Sequence, residues 1–155
     1  MKRILWEKLF DYLESALPYL LGFFLLFSGI RKIQNFDFFL NALAGYRLVP
    51  NAGIGVIAYL VIIVEIYLGV GLFVKGWRRM AAILTALMFL VFAMVVGYEY
   101  LSGSTSNCGC MALLSDDRIG VRHVIQNILL SFLSWFVFFR CGQPEQDVPK
   151  NLQLQ

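Results

Sequence analysis

The sequence predicts an all-α integral membrane protein, a four-helix bundle with short interfacial helices. Three observations carry this. Of the 155 residues, 59% are hydrophobic and 15% are charged, whereas a soluble domain carries about a quarter charged residues. The charges gather between apolar runs rather than within them. Those runs number four, and each approaches the roughly 20 residues that a helix needs to cross the hydrocarbon core. The net charge is only +3, with no basic stripe interleaved with aromatics, so nucleic acid is not an expected partner. The lipid bilayer is.

The elements follow in chain order. From Ile4 to Leu13, apolar side chains recur at Leu5, Leu9, Tyr12 and Leu13 between Lys8, Asp11 and Glu14, which is one-sided helical spacing. Residues 1–14 are therefore expected to lie as an interfacial helix, with Trp6 at headgroup level. Met1-Lys2-Arg3 resembles the start of a signal peptide, but Glu7, Asp11 and Glu14 interrupt its apolar region, and the N-terminus reads as retained. The first crossing is expected from Ser15 to Ile30, with Pro18 in an early turn. It closes on Arg31 and Lys32, whose stems can snorkel to the interface.

Phe36, Phe39, Leu40 and Leu43 then form an apolar face beside Asn35, Asp37 and Asn41, which predicts an interfacial or partly re-entrant helix. Gly45 and Pro50 bracket its exit, and Tyr46 suits the interface. A second crossing from Ala52 to Val74 carries one charge, Glu65. Lys75, Trp77, Arg78 and Arg79 make a tight turn into a third crossing, Met80 to Tyr98. A Ser- and Gly-containing loop holding Cys108, Gly109 and Cys110 ends near Gly120. The fourth crossing, Val121 to Phe139, begins with the polar residues Arg122, His123, Gln126 and Asn127. Residues 15–139 thus read as the transmembrane domain, and 140–155, with Pro144 and Pro149, as a disordered cytoplasmic tail.

Four crossings put both termini on one side. That side, with the second loop, holds Lys2, Arg3, Lys8, Lys75, Arg78, Arg79, Arg140 and Lys150, against Arg31, Lys32, Arg47, Arg118 and Arg122 on the other, which is eight against five. The positive-inside rule favours cytoplasmic termini in a bacterial inner membrane and an extracytoplasmic Cys-Gly-Cys loop.

Cys141 lies across the membrane from that loop, about 30 Å away, far beyond the roughly 7 Å between alpha carbons that a disulfide permits. Cys108 and Cys110 remain as a couple in a compartment where disulfides persist. Closure of a Cys-X-Cys ring stores strain, and Gly109 is the residue best able to adopt its backbone angles. Strained, exposed disulfides tend to be labile or catalytic. Arg118, Arg122 and His123 would stabilise a thiolate or move its proton. Thiol-disulfide exchange, with Cys108 attacking and Cys110 resolving, is the leading reading. A static or incidental pair stays open, as does a metal site on Cys108, Cys110 and His123, although the spacing is not a standard zinc pattern.

Ionisable groups within a membrane need a partner, a cavity or a proton. Glu99, near the outer end of its helix, is expected in structural ion pairing with Arg122 or Arg31. Glu65 sits deeper and suits a proton path or a quinone pocket, or equally a buried neutral carboxyl. His123 with Asn127, and Arg122 with Gln126, are four residues apart and form a polar patch beneath the cysteine loop. Small residues at Gly22, Ser28, Gly29, Gly69, Gly71 and Gly97 permit close helix packing.

In order along the chain, Phe27-Ser28-Gly29-Ile30-Arg31-Lys32, Phe36, the segment Tyr46 to Pro50, Glu65 with Gly69 and Gly71, Arg79, Asn107-Cys108-Gly109-Cys110, and Arg122 with Asn127 resemble the DoxX-like membrane proteins, in particular the methylamine-utilisation MauE branch. The resemblance covers about Leu20 to Phe139. It implies a four-helix membrane protein that acts with a thioredoxin-like partner in maturing a disulfide-rich periplasmic subunit, and related DoxD proteins imply coupling to quinone. From a different class, the aromatic-rich faces also fit a non-enzymatic subunit or assembly factor of a larger membrane complex.

Overall fold

A computed structural model describes residues 2–48, 51–103 and 120–140, with side chains from residue 15 onward apart from that of Asn51. Five α-helices account for most of it: α1 Lys2–Gln34, α2 Phe36–Ala44, α3 Ile54–Phe73, α4 Arg78–Leu101 and α5 Val121–Arg140, with a 3-10 turn at Asn51–Gly53 before α3. Four of them contain spans long and apolar enough to cross a membrane, Ser15–Gln34, Ile54–Phe73, Arg78–Leu101 and Val121–Arg140. The protein is an all-α integral membrane four-helix bundle.

The first helix differs from its expected form. Nothing between the interfacial-type stretch and the apolar run breaks a helix, and α1 continues unbroken from Lys2 to Gln34. Pro18 consequently lies inside the helix rather than in its first turns. Proline deletes one backbone donor, which a bundle helix tolerates when neighbours satisfy the freed carbonyl.

Two tight pairs build the bundle, α1 with α3 and α4 with α5, joined through α3 against α4 and α1 against α5. The first pair closes at glycine. A Cβ on Gly69 would stand 2.9 Å from Leu26 Cγ and 3.2 Å from the Gly22 carbonyl, and one on Gly22 would stand 3.0 Å from the Gly69 carbonyl. Between helices in lipid, such small residues let backbones approach where no hydrophobic drive exists. Leu21, Leu25, Leu68, Leu72, Ala82 and Phe89 fill the space where the pairs meet. The second pair adds a hydrogen bond across the helices, Ser131 Oγ donating to the Ala86 carbonyl at 2.8 Å.

Large apolar side chains such as Phe23, Leu60 and Phe132 stay exposed on the outside, as a surface solvated by lipid requires. The short α2 lies against the start of α3, burying Phe39 and Leu43 on Ala58 and Ile62. Tyr46, expected at the interface, is instead buried against Val96 of α4. The end of α4 and the α2–α3 connection therefore share one end of the bundle, the end at which the chain leaves α4 and re-enters at α5.

Candidate functional site

An ion pair is buried inside the bundle, near the end at which α1 finishes. Lys32 Nζ is 2.5 Å from Glu65 Oε1 and donates to Ser28 Oγ at 3.0 Å. Both charged residues are only 2% exposed. In a helix every Cα–Cβ bond leans toward the N-terminus. Because α1 and α3 run antiparallel, Lys32 leans inward from its helix end while Glu65 leans outward to meet it. The close packing of Gly29, where an added Cβ would lie 2.9 Å from Ile66 Cγ1, brings the two backbones near enough for the contact.

This corrects the expected placement of Lys32. Its position beside Arg31 at the edge of an apolar run resembles a snorkelling cation, yet its side chain turns into the protein. Arg31, a residue earlier and about 100° round the helix, directs Nη1 toward Gln34 Oε1 at 3.4 Å. Sequence reasoning missed Lys32 and Ser28 as members of the site. Their signal was the four-residue spacing, which puts a hydroxyl and an ammonium on one helix face, set against a single carboxylate deep in another helix.

The polar start of α5 completes the arrangement. His123 and Asn127 are buried and, with Gln126, line a small cavity that Lys32, Glu65 and Ser28 also line. Asn127 Nδ2 donates back to the His123 carbonyl at 2.9 Å, which fixes its side chain along the helix. The space left for the centre of a water molecule is about 20 Å³, enough for one water. Glu65 Oε2, buried, has no hydrogen-bond partner among the described residues. A carboxylate oxygen with spare acceptor capacity thus shares a cavity with an imidazole, the parts a proton needs to move between the two.

Arg122 and His123, expected to act together, diverge: Arg122 is exposed and His123 is buried on the cavity. Glu99, fully buried, is met by main chain, with Oε1 accepting from the amides of Arg47 at 2.8 Å and Leu48 at 3.4 Å. The carboxylate therefore fastens the α2–α3 connection to α4. Cys108, Cys110, Arg118, Cys141 and the tail lie outside the described residues, and with them the disulfide and metal readings. By chain connectivity, the segment 104–119 joins α4 and α5 at the end of the bundle where His123 and Lys32 sit.

A second cavity adjoins the ion pair. Between α2, α3 and α4, Phe39, Leu43, Tyr46, Val61, Phe92 and Val96 line a half-open apolar cleft of about 230 Å³, with Lys32 also on the wall. The Lys32 ammonium stands 5.3 Å from the centre of the Phe39 ring, within cation–π range.

Comparison with known proteins places these features in context. A family model described as methylamine utilisation protein MauE matches residues 10–140. The methylamine utilization protein MauE of Methylophilus methylotrophus is 30% identical over 112 residues, 71% of this chain and 59% of the relative. That of Paracoccus denitrificans is 27% identical over 120 residues, 77% of this chain and 64% of the relative. The chain therefore spans about three fifths of the length of the curated relatives it matches. No solved structure matches.

Proposed function

Since the chain belongs to the methylamine utilisation MauE family, we propose that it serves methylamine utilisation as a membrane thiol-disulfide exchanger, working through an extracytoplasmic Cys108–Cys110 pair on a thioredoxin-like partner. The single observation supporting it is the buried polar relay of His123, Glu65 and Lys32 at the end of the bundle to which the cysteine segment is tethered. In the dithiol form, the Cys108 thiolate attacks a disulfide of the partner and a mixed disulfide forms. Cys110 resolves it, so the partner leaves with two thiols while Cys108 and Cys110 become a disulfide.

Two electrons and two protons change hands, and the reaction also runs in reverse. A two-electron carrier of the membrane, a quinone and its quinol, resets the pair. Arg122 from outside and His123 from within the bundle tune the thiolate and take its proton, and Glu65 extends the proton path. With both termini cytoplasmic, the exchange lies on the periplasmic face of the inner membrane.

The test is differential alkylation in intact cells with a membrane-impermeant maleimide, before and after reduction, alongside Cys108→Ser/Cys110→Ser. Labelling that appears only after reduction, together with loss of thiol-disulfide exchange with the partner in either direction in the double variant, is expected. Labelling confined to permeabilised cells, or a fully active double variant, refutes the reading.

A second reading rests on α5. Of its most apolar window 22% is buried, against 39% in each of the other spans, so this helix offers a broad face to a larger membrane complex in which the protein is a non-enzymatic subunit. A stoichiometric complex that copurifies and stays competent in the cysteine variant would favour it.

A further inference from the structure

We propose that the end of the bundle at which α3 passes into α4 is a docking surface for the headgroups of anionic phospholipids, with Lys75, Arg78 and Arg79 meeting the lipid phosphate. The inference rests on no part of the thiol reading.

Charge balance comes first. Lys75, Arg78 and Arg79 fall together where α3 gives way to α4. The acidic side chains among the described residues are Asp37, Glu65 and Glu99. Asp37 lies in α2 and Glu99 in the last turn of α4, both toward the other end of the bundle, and Glu65 is taken by Lys32. Among the described residues, none of the three cations has a carboxylate within ion-pair distance. This end therefore carries a concentrated positive charge that the described protein does not neutralise.

The two guanidiniums are held by their faces rather than by a counter-ion. Arg78 Cζ stands 4.7 Å from the centre of the Tyr19 ring on α1, and Arg79 Cζ 5.0 Å from that of Phe138 on α5, both within cation–π range. A guanidinium carries five N–H donors in a planar fork that matches two phosphate oxygens. Stacking on a ring occupies a face and leaves that fork to other partners. Arg78 Nε donates to the Leu72 carbonyl at 3.0 Å, while its Nη2 has no hydrogen-bond partner among the described residues. Arg79 and Lys75 are exposed, so both reach whatever lies beyond the bundle end.

Depth then selects the partner. Trp77, between these cations, is exposed, and its ring lies 5.7 Å from that of Tyr67, exposed further down α3. Tryptophan and tyrosine collect at headgroup level, and the spans of α3 and α4 begin there, which puts Lys75, Arg78 and Arg79 at the depth of lipid phosphates. A free phosphate would meet the charges but leave Trp77 and Tyr67 without apolar cover, whereas a lipid supplies phosphate and chain together. A zwitterionic lipid brings its own cation with its phosphate and lowers the local charge by nothing. A lipid of net negative charge lowers it, as juxtamembrane Lys and Arg favour.

The experiment uses the full chain with Trp6→Phe and Trp135→Phe, which leaves Trp77 as the sole tryptophan. It is placed in phosphatidylcholine nanodiscs, into which phosphatidylglycerol or phosphatidylcholine with brominated chains is titrated. Bromine quenches only a nearby indole, so Trp77 emission reports which lipid occupies this end. Phosphatidylglycerol should be preferred about fivefold or more. Lys75→Gln with Arg79→Gln, two exposed side chains whose loss leaves the packing intact, should bring the preference below about twofold, and Arg78→Gln should lower it at least about twofold. Inorganic phosphate should displace the brominated phosphatidylglycerol no better than sodium chloride of equal ionic strength. Equal quenching by the two lipids overturns the proposal, as does a preference unchanged in both variants. Displacement by phosphate beyond the chloride control overturns it in favour of a free anion.

Discussion

Lys32 and Glu65 offer the most demanding test of the structure, through Lys32→Met, Glu65→Leu and the two together. Each partner is 2% exposed, so neither can recover hydration when the other is lost. Removing one member of a buried pair typically costs about 3–5 kcal/mol, whereas replacing both with apolar residues of similar volume is close to neutral. Lys32→Met should be the worse single change, because it strips Glu65 Oε1 of its cation while Oε2 already lacks a partner. Lys32 in the Glu65→Leu protein keeps Ser28. Side-chain hydrogen bonds within membranes are worth about 0.6 kcal/mol on average and at most about 1.7, so a larger coupling measures charge burial rather than hydrogen bonding. The assay is equilibrium unfolding in mixed micelles titrated with a denaturing detergent. We expect each single variant to lose about 3–5 kcal/mol and the double variant to lie within about 1–2 kcal/mol of the parent. Singles that cost less than about 1 kcal/mol, or a double equal to the sum of the singles, would refute a desolvated, coupled pair.

Other positions give independent checks. Gly69→Val presses a branched side chain toward Leu26 and the Gly22 carbonyl, the latter only 3.2 Å from the new Cβ, and should cost about 1–3 kcal/mol in the same unfolding assay. A cost near zero would deny the close approach of α1 and α3. Glu99→Leu strands the amides of Arg47 and Leu48 and should cost about 1–3 kcal/mol, with faster amide exchange at those two positions. Protection there equal to the parent's would contradict it. Ser131→Ala removes the bond to the Ala86 carbonyl and should cost about 0.6 kcal/mol, a small but resolvable shift whose absence would argue against the α4–α5 register.

The helices were legible because membrane spans announce themselves through composition. The second, third and fourth crossings fall within a few residues of their expected limits, since charges and glycines punctuate apolar runs. The short α2 was legible from the spacing of Phe36, Phe39, Leu40 and Leu43. The unbroken α1 was not, because a change of composition near Ser15 reads as a boundary although nothing there stops a helix.

The ion pair was half legible. Glu65 demanded an answer on solvation grounds alone, but its partner lies 33 residues away, and no local rule connects them. Lys32 looked interfacial because hydropathy reports only that a run has ended, not which way the last side chain turns. The polar start of α5 was visible as a patch, yet its spacing could not show that Arg122 stays exposed while His123, Gln126 and Asn127 line the cavity.

The glycine contacts of α1 and α3 carry a mechanical consequence. Two backbones interlocked at Gly22 and Gly69 behave as a single stiff plank, and a lysine bonded across it near one end acts as a rivet. The packing between this plank and the α4–α5 half is sparser than the packing within either pair, so the seam between the halves is where the bundle is least tightly joined.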